Sequence, residues 1–218
     1  MAALLLAAAS GGCRNTSPPI EEFLLAPLPP STLLARPADG VAAAAPPSAP
    51  ADAPADAPAA KLPALRVRPL TARSFLDRRE IAWREGDVRA GPYHYRRWSE
   101  PPAEAVTRQL IAALRARGRF AQVEGSSLGG APLTLRGELL GLHEESGADG
   151  SDPHGVAALE LCLEAATRDG VPQLFTASRR VAAADDSMEA LVEAISAALA
   201  ALLEELLPQV EAAAQARA

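Results

Sequence analysis

The residues between 143 and 155, "HEESGADGSDPHG", bring together His143, Glu144, Asp149, Asp152 and His154, the densest supply of imidazole and carboxylate in the chain. Such groups suit zinc or calcium, yet their spacing matches neither a zinc pattern nor an EF-hand loop. A turn between two strands calls for the same Gly, Ser, Asp and Pro, and that is the simpler reading. The remaining histidine, His94, has no companion in sequence. The chain contains no GxSxG, HExxH or Walker loop, and no GxGxxG in a strand-turn-helix setting. We therefore expect no catalytic residues, no cofactor and no metal.

A different chemistry is written in the first thirteen residues, "MAALLLAAASGGC". An apolar run from Ala2 to Ala9, then small residues, then a cysteine is the order of a secretory signal closed by a lipobox, and the run is too short to span a bilayer. Cys13 is the expected lipidation site, its thiol acylated and its amine the mature N-terminus. Two features depart from the usual pattern: no Lys or Arg precedes the run, and Ser10 stands where bacterial lipoproteins usually carry Leu. Acyl chains worth about 0.8 kcal/mol per buried methylene would hold the protein on a membrane. By resemblance to bacterial lipoproteins, Arg14 in place of Asp after the cysteine points to the outer membrane. Cys162 is then left without a partner, so neither a disulfide framework nor a CxxC site is available.

The third candidate is "YHYRRWSEPPAEAV", residues 93 to 106. Aromatic residues make up only 4% of the chain, so Tyr93, Tyr95 and Trp98 beside Arg97 form a notable concentration. In an extended segment Tyr93 and Tyr95 point one way, His94 and Arg96 the other. Large rigid side chains of this kind either lock a hairpin against a helix or supply a docking face for a partner, and core packing is the simpler of the two. Nucleic acid is disfavoured as that partner, because the net charge is -6 and the pI about 5.2. The charge is unevenly placed: residues 66 to 119 hold thirteen Arg against six acids, residues 120 to 218 five against sixteen. Such an asymmetry marks either a phosphate-binding face or two solvated surfaces of one domain that attract each other, and the second is the simpler reading.

The elements that must position these residues follow from periodicity. After the signal and lipobox (1–13), an N-terminal segment (14–36) contains a short strand near Glu22 to Leu25. Residues 37–61 are Pro and Ala with three Asp, too poor in large apolar groups to bury a face, and read as a disordered linker or a looped-out insertion. The main domain, 62–208, opens with a strand at Leu65 and Val67 ending near Pro69, then a hairpin-like pair at Ile81 to Arg84 and Pro92 to Arg97. Ser99 or Glu100 is expected to cap a helix whose stripe is Val106, Leu110, Ala113 and Leu114, closed by Gly118. Strands follow at "RFAQV", at Leu133 to Leu139, and at Leu159 to Leu163, whose Asp169-Gly170 turn leads into another at "VPQLFTASRRVAAA". Asp186 with Glu189 reads as a capping box for a final helix with a wide apolar stripe, ending at Pro208, followed by a tail (209–218). The expected class is α+β, a mainly antiparallel sheet with both principal helices packed on one face.

These segments in this order resemble the ABC-type transport auxiliary lipoprotein family. The likeness rests on a "FLDRxEI" segment at Phe75 to Ile81, a "hrWxExP" helix entrance at Arg97 to Pro101, and a "GxFxxV" helix exit at Gly118 to Val123. "PPIEEFLLAP" after Cys13 is similar to the family's first strand, with Phe23 where Tyr is usual. The resemblance implies an outer-membrane lipoprotein facing the periplasm, an accessory to an ABC transporter with MCE-type subunits that moves lipids between membranes. It implies no catalysis in this chain, the membrane and the transporter subunits as partners, and phospholipid as a potential ligand. A periplasmic module that itself carries a lipid between sheet and helices is the alternative, and self-association is open.

Overall fold

The structure is a computed structural model that describes residues 18–29, 61–125, 130–147, 151–166 and 171–217. Cys13, Asp149, the Asp169-Gly170 turn and nearly all of the Pro/Ala segment lie outside the described residues.

The fold is organised around one long strand, β7 (Leu133–Ser146). Along one edge it pairs antiparallel with β8 (His154–Ala165), which pairs antiparallel with β9 (Gln173–Ala182). Its other edge is shared end to end by three short strands, β2 (Leu65–Val67), β3 (Thr71–Ala72) and β4 (Glu80–Glu85), all parallel to it. A single turn of 3-10 helix, Ser74–Asp77, separates β3 from β4. Outside β4 lies β5 (Arg89–Trp98), antiparallel, and outside β5 lies β1 (Glu21–Phe23), parallel; β6 (Val123–Glu124) runs parallel to β2. The result is a nine-stranded mixed sheet, curled into a half-barrel, in which five of the eight pairings are parallel. The expected mainly antiparallel sheet is thus corrected. The reason lies in connection geometry: the helix between β5 and β7 carries the chain back across the sheet, so β7 enters alongside β4 in the same direction.

That helix, α1 (Pro102–Arg117), buries Val106, Leu110, Ala113 and Leu114, the expected stripe. It ends at Gly118, whose φ of 62° is left-handed and whose N–H donates to the Arg115 carbonyl. Its entrance differs from expectation: Pro101 is the N-cap and Pro102 the first residue, with no side-chain cap. Proline presets the helical φ and has no N–H to satisfy, and the Glu100 carboxylate is engaged by Arg108 instead.

The closing helix, α2 (Met188–Gln215), is capped by Ser187, whose Oγ accepts from the Ala190 N–H at 3.1 Å, rather than by Asp186. Asp185 in turn accepts the Ser187 N–H at 2.8 Å. The helix runs through Pro208 and does not stop there. Proline forfeits one intrahelical bond, but Val210, Ala213 and Ala214 beyond it are buried and extend the stripe past the break.

Leu135 and Leu139 of β7, Leu159, Leu161 and Leu163 of β8, and Phe175 of β9 meet the buried stripes of α1 and α2 in one core. Two close approaches define it. Gly155 lies directly under α2, where an added Cβ would fall 2.2 Å from the Ile195 backbone nitrogen, and one on Gly137 would fall 2.3 Å from the Glu160 carbonyl. At the far end of the helices Arg117 and Glu211, 1% and 4% exposed, form a two-pronged ion pair with N–O distances of 2.6 and 2.9 Å. This pair and Arg73–Glu138 join the basic middle of the chain to its acidic end.

Candidate functional site

β5 distributes its aromatic residues between core and surface. Trp98, 2% exposed, is a core residue. Its N–H donates to the Arg79 carbonyl at 2.6 Å, and Arg79 returns its Nε to the Trp98 carbonyl at 3.0 Å and Nη2 to the Ser99 carbonyl at 2.6 Å. Arg79 therefore fastens the start of β4 to the end of β5. The Ser99 N–H then donates to the Phe23 carbonyl at 2.8 Å, so the same corner holds β1.

Tyr93 is half-buried against the core, its hydroxyl donating a short hydrogen bond to the Glu144 carboxylate. Burial, reinforced by that carboxylate, pushes the phenol well above the ordinary tyrosine range, so it stays a donor. The Arg96 guanidinium sits 5.5 Å from its ring centre, a cation–π contact. A register shift in the β4–β5 ladder, between Glu80 opposite Arg97 and Ala82 opposite Pro92, turns Tyr93 inward while Tyr95 stays outside. Gly91 leaves room for the Trp83 ring, which an added Cβ would meet at 3.0 Å. Of the four candidate docking residues, then, Trp98 and Tyr93 form a rigid corner, and Tyr95 and Arg97 remain at the surface, Arg97 paired with Glu22 of β1 at 3.1 Å.

Beyond β1 the chain crosses the two helices as an extended strap, residues 24–29. The Ala26 N–H donates to Ser196 Oγ of α2 at 3.0 Å, Gln109 Nε2 of α1 donates to the Ala26 carbonyl at 3.0 Å, and Leu28 enters the core. Ser196 in turn donates to the Val192 carbonyl at 2.8 Å. On either side of the strap lies an open groove. One of about 380 Å³ is lined by Leu25, Leu28 and Ala112, the other, about 390 Å³, by Pro29, Ala197 and Ala200. Sequence reading did not find Arg79, Gln109, Ser196 or the Arg117–Glu211 pair. The available signal was a serine and a glutamate on the apolar stripe of α2, each needing a buried partner.

The histidines are scattered. His154 Nδ1 lies 2.6 Å from the Asp152 carbonyl, and His94 is on the surface of β5. His143 is buried, both ring nitrogens lacking a hydrogen-bond partner, with Phe75 edge-on at 6.5 Å. Among the described residues no three His, Cys, Asp or Glu side chains gather as a metal site. Burial lowers the pKa of the His143 imidazole, so the unfolded chain takes up a proton that the native state refuses. Stability should therefore fall as the pH drops below about 6.5, the unfolded value. Urea melts across that range should show the acid-side slope shrinking in His143→Leu; an unaltered slope would mean that other groups set it.

Residues 46–206 match the family model of the ABC-type transport auxiliary lipoprotein component. The chain belongs to that family. The match leaves out β1, the strap and the last turns of α2. Among solved structures, a protein from Xanthomonas campestris superposes with a TM-score of 0.63 at 18% identity, covering 74% of this chain and 93% of its own. A hypothetical protein from Chlamydia trachomatis gives a TM-score of 0.51 at 10% identity, covering 72% of this chain and 99% of its own. At such identities the likeness is one of fold. Comparison with curated proteins gives no match.

Proposed function

We propose that this auxiliary lipoprotein is a non-catalytic accessory subunit of an ABC transport system with MCE-type partners, moving lipid between the inner and outer membranes. In this reading acylated Cys13 holds it at the periplasmic face of the outer membrane. The family match carries the proposal. The way the N-terminus is built in supports it. β1 lies only eight positions after Cys13 and is stitched to Trp98, so an acyl anchor there draws the whole sheet toward the bilayer. In this reading the Pro/Ala segment, which follows β1 and the strap in sequence, is a looped-out insertion and not the tether. No helix of the described residues is long and apolar enough to cross a membrane.

A packed interior favours the adaptor over a carrier that swallows its lipid. Leu110, Leu114, Leu139, Leu161 and Ile195, fully buried, fill the space between sheet and helices where such a ligand would lie. A lipid would have to use the open grooves beside the strap. Cys13→Ala is expected to move the protein from the membrane to the soluble periplasmic fraction without changing its melting temperature. Pelleting of this variant with membranes at high salt would refute the anchor. Co-purification of the wild-type protein with an MCE-domain subunit tests the accessory role, and its failure under mild solubilisation would count against it.

A further inference from the structure

We infer that the outer face of the β1–β5 edge is a membrane-contacting surface that rests on phospholipid. The inference builds on the proposed acylation of Cys13. Glu21 opposite Arg96 and Phe23 opposite Trp98 set the register, with Phe23 and Trp98 turned to the core. By the alternation of an extended chain, Ile20, Glu22 and Leu24 then share the opposite face with Tyr95 and Arg97.

Three of these are large apolar groups left in water: Ile20 is 51% exposed, Leu24 68% and Tyr95 44%. Between them the Glu22 carboxylate is shared by Arg79 and Arg97, at 3.2 and 3.1 Å, and Glu80 stands opposite Arg97 in the ladder, so the polar centre of the patch is a balanced set of charges. Exposed aliphatic residues and a tyrosine around paired charges are what a phospholipid headgroup layer accommodates. Covalent geometry supplies the second argument. From Cys13 to Glu21 is eight residue steps, at most roughly 28 Å when fully extended, so an acylated Cys13 cannot let this edge drift far from the bilayer. The opposite edge of the sheet, β9, also exposes an apolar residue, Leu174, but nothing ties it to a membrane.

The test uses the full acylated chain in a Cys162→Ala background, with a single thiol introduced as Leu24→Cys, Tyr95→Cys or Leu174→Cys and labelled with an environment-sensitive dye. Each protein is reconstituted in vesicles of phosphatidylethanolamine and phosphatidylglycerol containing nitroxide-labelled acyl chains. Quenching several-fold stronger at positions 24 and 95 than at 174 is expected. Flotation with the vesicles but equal quenching at all three, or none at 24 and 95, would leave the anchor standing and overturn the contact surface. A chain that does not float at all would overturn the anchor, and the surface with it.

Discussion

Gly155→Ala is expected to destabilise the domain by about 3 kcal/mol or more. The added carbon would fall 2.2 Å from the Ile195 nitrogen and 2.4 Å from the Ala194 carbonyl carbon, so the obstacle is helix backbone, which has no rotamer through which to escape. α2 would have to lift from β8, taking Ile195 and Leu199 partly out of the core. Thermal or urea unfolding of the variant reads this directly. A melting curve superimposable on wild type would mean that the helix does not lie against the sheet at this glycine.

Glu211→Ala is expected to cost about 3 to 5 kcal/mol, because it removes the two-pronged carboxylate partner of an Arg117 guanidinium whose side chain is 1% exposed. The loss comes from a buried charge deprived of its carboxylate and not from any intrinsic strength of the ion pair, whose Coulomb attraction is largely spent on desolvation. Arg117→Met combined with Glu211→Met should accordingly recover most of the stability lost in Glu211→Ala alone. Urea midpoints of the single and double variants check both statements. A double variant no better than Glu211→Ala would show that the pair contributes more than mutual neutralisation.

The comparison of β5 with α1 shows how far local pattern reaches. Val106, Leu110, Ala113 and Leu114 recur with helical spacing, and each is buried where that spacing puts it. On β5 the same reasoning placed Tyr93 and Tyr95 together, but the register shift in the β4–β5 ladder separates them, one sealed by Glu144 and the other in water. A bulge depends on the partner strand and leaves no mark in the alternation of the strand that carries it. Ser196 and Gln109 were silent for the same reason. Each is an ordinary helix residue until the strap, 170 and 83 positions away in sequence, arrives with an unsatisfied N–H or carbonyl.

Sequence by itself determined the two apolar helix stripes, the strands of the β4–β5 and β8–β9 hairpins, the glycine that ends α1, and a resemblance sufficient to name the family. These depend on spacing within a dozen residues, where side-chain period and backbone preference act directly. Tertiary structure alone decided that β2, β3 and β4 line up parallel along one edge of β7, that α2 passes through Pro208, and that Trp98 faces inward. Strand partners are chosen by where a crossover returns the chain, and a proline is tolerated when the buried stripe continues beyond it. Both are set by groups distant in sequence competing for the same core, a balance that no local window contains.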